Sequence, residues 1–366
     1  MKRVNDLFPK LISDENILLA VTEVNRTHRT HKGRLNKVVM WVERTLPERI
    51  KELRQIMLDG FEPSPARCIR RYDHSAGKWR DICEPKLYPD QYVHHMIVQV
   101  LQPVMMRGMD YWCCGSIRGR GTKRGINGLK KWLKNDKKNT KYAAELDIYH
   151  FYDSLKPEVV MQRLRQLVKD VQMLEVVERL VKGGIIIGAY YSQWFANTTL
   201  QPLDHYIREV LHIRHYVRYM DNITIMGSNK KKLHKAVREI AAQLDRIGLK
   251  LKGNWQVYRV SKRPISAMGY RFDSRKVLLR KRTLLRLKRK LRIFYRKLEN
   301  KKPVTFREAA GLISRLGMLR HCNSRSIRER YVKKGTEAIL KGIVRRYMLE
   351  FIKMRGGANG FDRNTG

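Results

Sequence analysis

Ala143-Ala144-Glu145-Leu146-Asp147-Ile148, running on into Tyr149-His150-Phe151-Tyr152-Asp153, is one of two stretches that decide the fold. The other is His215-Tyr216-Val217-Arg218-Tyr219, which turns through Met220-Asp221-Asn222 into Ile223-Thr224-Ile225-Met226. The first reads as a short apolar strand that delivers Asp147 at its end. The second reads as two β-runs joined by a tight turn, a position that Asp and Asn favour. If these strands are neighbours in one sheet, the carboxylates of Asp147 and Asp221 meet at one edge. Two divalent ions about 3.5–4 Å apart, bridged by such carboxylates, would activate a hydroxyl and neutralise a triphosphate. The Ile148 backbone carbonyl is a further oxygen ligand of the kind magnesium takes. Each half alone has an ordinary reading, since an Asp ends many strands and Asp-Asn suits any hairpin. Together, in this order, they predict metal-dependent phosphoryl transfer.

The surrounding composition supplies the polyanion. Lys and Arg number 78 against 34 Asp and Glu, a formal charge of +44 on 366 residues. That charge repels itself unless a nucleic acid or similar partner offsets it, and the basic residues recur in almost every segment. No stretch approaches the roughly twenty apolar residues of a membrane span. Residues 1–23 lack a signal-peptide core. The five cysteines (Cys68, Cys83, Cys113, Cys114, Cys322) are odd in number and form no CxxC pair. Neither a disulfide framework nor a zinc site is therefore expected, and a reducing cytoplasm fits best.

Spacing along the chain predicts mixed helix and strand. Helices are expected over 36–57 and 93–105, with a hairpin and loops between Pro63 and Pro89. A glycine-rich basic loop is expected over 115–125. A helix starting near Pro157 is expected to continue to 180, and another to run over 192–211. Lys231 to Ile247 reads as an amphipathic helix and Val257 to Phe272 as further strands. Lys276 to Lys302 is crowded with Lys and Arg, with Glu299 its one acid, yet Leu284, Leu287, Leu291, Phe294 and Leu298 recur at helical spacing. One face packs and the other is cationic, as a helix gripping a nucleic-acid backbone requires. Arg282, Arg286, Lys290 and Arg296 are its candidate contacts.

The glycine-rich loop suits a triphosphate, because glycines free backbone N–H groups while Arg118, Arg120 and Lys123 add charge beside Arg124. Gly119, Gly121 and Gly125 are spaced GxGxxxG, and no GxxxxGK[ST] occurs. Neither a dinucleotide fold nor a P-loop is expected, and a flexible basic turn is the ordinary reading of the same stretch.

In this order the motifs resemble the reverse transcriptase family. Asp147 to Asp153 looks like its first catalytic palm motif, and Tyr219-Met220-Asp221-Asn222 like its YxDD box with one change. Gly269-Tyr270-Arg271-Phe272 resembles the motif leading to the thumb. The likeness covers roughly residues 75 to 335. It implies an α+β, right-hand polymerase fold: fingers with N-terminal helices over 1–142, and a palm with an antiparallel sheet backed by helices over 143–275. Part of 155–190 would return to the fingers. A helical basic thumb over 276–355 and a disordered tail over 356–366 complete the expected organisation.

A narrower likeness lies at Ile187-Gly188-Ala189-Tyr190-Tyr191-Ser192-Gln193. It is similar to the [I/V/L]GxxxSQ form of reverse transcriptases from diversity-generating retroelements, where most relatives carry QGxxxSP. Lys78-Trp79-Arg80, Pro85 to Gln91, Ser116 to Thr122, Asn254 to Val257 and His321-Cys322-Asn323-Ser324 also look like that subgroup. By this resemblance Asp147, Ile148, Asp221 and Asn222 hold two Mg2+ ions, with Mn2+ as a substitute. Tyr152 excludes a 2′-hydroxyl. Arg118, Arg120 and Lys86 hold the triphosphate, and Ile187, Gly188, Ser192 and Gln193 shape the nucleotide and template pocket. An aliphatic Ile187 removes polar readout, and apolar contacts separate similar partners by only about 1–3 kcal/mol. Error-prone copying at template adenines is the implied outcome. Template RNA, the RNA/DNA heteroduplex, deoxynucleoside triphosphates and a small oligomeric accessory protein are the implied partners, in the cytoplasm of a bacterium or from a phage.

Asn222 departs from the family box. It removes one negative charge from the metal cluster, although its amide oxygen can still ligate. Two alternatives therefore stand beside the favoured reading: another bacterial reverse transcriptase, of the phage-defence or intron kind, and a polymerase-like protein that only binds RNA.

Overall fold

The computed structural model describes residues 2–31, 34–73 and 78–358. Its strands are β1 (Thr30–His31), β2 (Arg34–Leu35), β3 (Arg67–Asp73), β4 (Lys78–Glu84), β5 (Tyr142–Asp147), β6 (His215–Tyr219), β7 (Asn222–Gly227), β8 (Val257–Arg259), β9 (Ile265–Ala267), β10 (Tyr270–Phe272) and β11 (Val277–Leu279). Two units divide the chain, Met1–Gly125 with Lys138–Tyr258 and Ile126–Lys137 with Arg259–Gly366.

The first unit is built on a four-stranded sheet in the order β6-β7-β5-β8, in which β7 runs antiparallel to both β6 and β5. β7 buries Ile223, Thr224, Ile225 and Met226 in succession, the mark of a strand covered on both faces. One cover is the helix Lys230–Asp245, opened by the Asn229 side chain accepting from the Lys232 N–H at 3.1 Å. Its Leu233, Ala236, Val237, Ile240 and Leu244 form the buried stripe, each large apolar side chain stabilising by about 1.5–3 kcal/mol. The α+β class and the antiparallel sheet agree with the sequence reading.

Several helices are shorter than periodicity implied. The run over 36–57 breaks at Thr45 into Lys37–Arg44 and Leu46–Leu58. The expected helix to 180 is two, Pro157–Arg165 and Val171–Val181. The second begins where Asp170 caps it, and the same side chain caps the first turn at Leu7 and Phe8. Its Oδ1 accepts from the Met173 N–H at 2.9 Å, and its Oδ2 from Leu7 and Phe8 at 2.6 and 2.8 Å. The run over 192–211 is interrupted after Tyr190–Thr199, just before Pro202. The glycine-rich loop ends early, since a helix already begins at Gly121 and carries Lys123 and Arg124.

The cysteine expectation needs correcting. Cys68 and Cys83 are directly opposed in the β3–β4 register and form a disulfide. They are fifteen residues apart in sequence, and only the hairpin makes them neighbours. No helix among the described residues is long and apolar enough to cross a membrane.

The second unit carries β9-β10-β11 and the helices Lys281–Glu299, Phe306–Met318, Arg325–Tyr331 and Thr336–Ala358. Leu287, Leu291 and Phe294 are buried as the spacing implied, whereas Leu298 is exposed. Met268 and Gly269 both take positive φ in the β9–β10 turn, and so a glycine stands there. Asn323 pairs with the β11 backbone, donating its N–H to the Val277 carbonyl at 2.7 Å and accepting the Val277 N–H at 2.8 Å. The last helix extends past the expected end at 355 to Ala358, and the rest of the expected tail, 359–366, lies outside the described residues.

Candidate active site

β5 and β7 bring the two acidic motifs to one end of the sheet. Asp147 is registered opposite Asn222, and the Ile148 N–H donates to the Asp221 carbonyl at 3.2 Å. Adjacent strands lie about 4.8 Å apart, so the two carboxylates project from neighbouring positions. Asp221 follows Met220, which holds the positive-φ place in the two-residue turn. Gly115 makes room for that turn: a Cβ there would come within 2.6 Å of the Met220 nitrogen.

The base of the glycine-rich loop is sewn to β6. Cys113 bridges Arg218 in parallel, the Cys114 N–H donates to the Arg218 carbonyl at 2.8 Å, and the Arg218 N–H donates to Trp112 at 3.1 Å. The Arg218 side chain is fully buried behind the turn. It pairs in a fork with Asp204, at 2.7 Å from Nε and 2.6 Å from Nη2. Its Nη1 reaches the Asn197 side-chain oxygen at 2.8 Å and the Met220 carbonyl at 3.1 Å. Asn197 in turn donates to the Gly115 carbonyl at 2.9 Å. One buried cation thus ties together the loop, two helices and the turn that presents Asp221.

The electrostatics fit a cation. Burial, and then the charge of Asp147, raises the Asp221 carboxyl above the ordinary aspartate range, while the Asn222 amide and Lys252 oppose the rise. Asn222 Nδ2 donates to Asp221 Oδ1 at 2.8 Å. Asp147 Oδ1 is buried without an aligned hydrogen bond, and Lys252 Nζ lies 2.5 Å away as a charge partner. Two neighbouring carboxylates, an amide oxygen and the Ile148 carbonyl next in sequence to Asp147 are hard-oxygen donors of the kind Mg2+ or Mn2+ takes. Among the described residues no group of three or more His, Cys, Asp or Glu is placed to hold a metal.

Tyr152 stands in the same field. Burial, and then the Asp221 carboxylate, pushes its hydroxyl well above the ordinary phenol range, and Arg80 on β4 pulls the other way. Gly188 has φ +122°, and a Cβ there would lie 2.3 Å from the Cys83 carbonyl oxygen. That close approach lets the Cys83 N–H reach the Ile187 carbonyl at 2.8 Å, docking the 187–188 segment on β4. Ser192 is buried and bonds the Ile186 carbonyl at 2.7 Å, so it braces this segment, whereas Gln193 is exposed and Ile187 half-buried.

The basic candidates separate into groups. Arg118 and Lys86 are exposed, and Arg118 acts electrostatically on Glu23 and Tyr190. Arg120 turns inward, with Nη1 on the carbonyls of Asp110 and Cys113. Lys123 is exposed, and Arg124 lies over the Tyr111 ring at 4.2 Å. Arg282, Lys290 and Arg296 are exposed and Arg286 half-buried on the helix Lys281–Glu299, in the second unit. Sequence reasoning missed Lys252, Arg218, Asp204, Asn197 and Arg80. In a chain with 78 Lys and Arg, nothing local marks which cation is buried.

A comparison with curated sequences finds no match. Among solved structures, telomerase from Candida tropicalis, truncated of its C-terminal domain, aligns at TM-score 0.44 and 16% identity, over 59% of this chain and 56% of that one. Telomerase from Candida albicans, in complex with a fragment of telomeric RNA, aligns at TM-score 0.47 and 13% identity, over 78% of this chain and 58% of that one. The chain spans a little over half the length of each. The family described as reverse transcriptase (RNA-dependent DNA polymerase) matches residues 69–272, a segment that contains both acidic motifs. With more than half of its residues inside that match, and the antiparallel sheet of a right-hand polymerase carrying them, the chain belongs to the reverse transcriptase family.

Proposed function

We propose that this chain synthesises cDNA on a template RNA, transferring deoxynucleotides to a primer hydroxyl. The observation that carries the reading is the β5–β7 register, which sets Asp147 opposite Asn222 beside Asp221, near enough for the Asp147 charge to raise the Asp221 carboxyl. Asp147, Asp221, the Asn222 amide oxygen and the Ile148 carbonyl would hold the divalent cations. Those cations, when bound, lower the pKa of the attacking hydroxyl and neutralise the triphosphate. Tyr152 packs against the apolar core beside Asp221, where its ring would stand under the sugar and exclude a 2′-hydroxyl. Arg80 from β4 and Arg118 from the glycine-rich loop would meet the triphosphate, while Arg120 keeps the loop folded. The helix Lys281–Glu299 would act as the thumb and track the heteroduplex.

Within the family we assign the chain to diversity-generating retroelements, acting in the cytoplasm with a small oligomeric accessory protein. The support is Ile187 to Gln193. Ile187 contributes its carbonyl to Cys83 and would offer only an aliphatic side chain to the nucleotide pocket, and a pocket read by shape alone discriminates weakly. The test is primer extension on a defined RNA with deoxynucleotides and Mg2+ or Mn2+, followed by cDNA sequencing. Substitutions concentrated at template adenines are expected. Extension with adenines copied as faithfully as other bases would reject the subgroup, and no extension with either metal would reject the polymerase reading.

A further inference from the structure

The second unit holds a cationic groove that neither the acidic site nor the duplex-tracking face explains. It is about 730 Å³ in volume and lies between the helix Lys281–Glu299 and the segment 329–333. Its floor is aromatic and prebuilt. The Tyr295 hydroxyl donates to the Tyr331 carbonyl at 3.2 Å and accepts the Lys333 N–H at 2.9 Å. The Tyr331 hydroxyl accepts from Lys288 Nζ at 2.7 Å. Both rings are half-buried, and each has a lysine over one face, Lys288 Nζ 4.0 Å from the Tyr331 centroid and Lys333 Nζ 4.8 Å from that of Tyr295, so a base would stack on the opposite face.

The rim is cationic after its acids have been neutralised. Glu329 is already paired with Arg325 at 2.9 Å, and Glu299 with Lys333 at 3.3 Å. Arg289, Arg292, Arg296 and Arg330 remain around the opening, without ion pairs among the described residues. Arginine presents a planar fork suited to phosphate oxygens. Four forks along one groove fit an extended chain of phosphates better than a single anion. Tyrosine rings between them suit unpaired bases, because a duplex hides the faces that would stack. The position on the helix is distinct as well. At 100° per residue, Arg292, Tyr295 and Glu299 fall on a different side of it from Arg282, Arg286 and Lys290, while Arg289 and Arg296, the latter also a candidate duplex contact, lie between the two.

We propose that the groove between the helix Lys281–Glu299 and the segment 329–333 binds a single-stranded stretch of polynucleotide, phosphates on the arginines and bases on Tyr295 and Tyr331. This rests on reading the chain as a polymerase that handles an RNA template, whose unpaired portion needs a place outside the duplex. RNA and DNA strands share this chemistry.

The test measures the affinity of the full chain for three labelled probes: an unstructured RNA oligonucleotide, the DNA of the same sequence, and a blunt RNA/DNA heteroduplex. The double variant Arg292→Ala/Arg330→Ala should lose about tenfold or more on the single strands, with the salt slope reduced by about 1.4. Tyr331→Leu should lose about fivefold or more. Affinity for the blunt heteroduplex should stay within about twofold of the parent in all variants. A larger loss on RNA than on DNA would identify template as the occupant, and the reverse the displaced or product strand. Single-strand affinities unchanged by both variants would overturn the proposal, leaving the groove to a protein partner. Equal losses on the blunt heteroduplex would also overturn it, by placing the groove on the duplex path. Primer extension by the parent chain is scored separately. Its failure would sink the polymerase reading while the binding comparison still decides the groove.

Discussion

Asp204→Asn is the most informative single change, because it leaves the shape of the buried clamp almost unaltered and removes only its charge. Arg218 and Asp204 are both fully buried, and the pair is a two-bond fork. Removing one partner strands the guanidinium in the core, which costs about 3–5 kcal/mol. That is a large share of the 5–15 kcal/mol that holds a typical domain. The Tyr216 hydroxyl, which also donates to Asp204, loses a charged acceptor. The effect should reach the acidic site, because the same Arg218 holds the Met220 carbonyl one residue before Asp221. A displacement of about 1 Å in such a turn can cost roughly 100-fold in rate. The assays are urea unfolding and single-turnover primer extension at saturating metal. The double replacement Arg218→Met/Asp204→Leu separates the two roles. An apolar pair of similar volume should recover most of the stability, but it has no donor for Met220, so extension should stay slow. If Asp204→Asn unfolds within about 1 kcal/mol of the parent, or if the double variant regains both stability and rate, the clamp does not position the turn.

Three further changes test other parts of the site. Asn222→Asp replaces the amide donor to Asp221 with a third carboxylate. It should weaken the metal-free protein by about 1 kcal/mol or more, and lower the Mg2+ needed for half-maximal extension about tenfold; superimposable Mg2+ titrations would contradict this. Gly188→Ala forces a Cβ against the Cys83 carbonyl at a positive φ. It should cost about 2–4 kcal/mol and expose the Cys83 amide to hydrogen exchange, and unchanged protection there would refute the docking. His94 is buried with neither ring nitrogen hydrogen-bonded, and burial holds it down at about 3 from an ordinary 6.5. Below 6.5 the unfolded chain binds the extra proton. Stability should therefore fall as pH drops from about 6.5 toward 3, by about 1.4 kcal/mol per unit. His94→Phe should flatten that slope in urea unfolding between pH 6.5 and 4.5, and an unaltered slope would count against it.

What was legible from residues alone was local. Short apolar runs and turn chemistry marked β5, β6 and β7, because a strand's apolar run and a hairpin's turn are written within a few residues. The helical stripe Leu287, Leu291 and Phe294 was legible for the same reason. The order of the acidic motifs then pointed to the family. Long-range choices were not legible. Asp170 opens the helix Val171–Val181 and also caps a segment more than 160 residues earlier. Arg120 reads like any loop arginine until the fold turns it onto the carbonyls of Asp110 and Cys113. Arg218 is an alternating residue of a strand in a very basic chain. Only the meeting of β6 with Asp204 and Asn197 makes it the buried anchor of the turn. Charge and periodicity are properties of single residues and short windows, whereas desolvation and pairing belong to whichever elements the tertiary structure sets side by side.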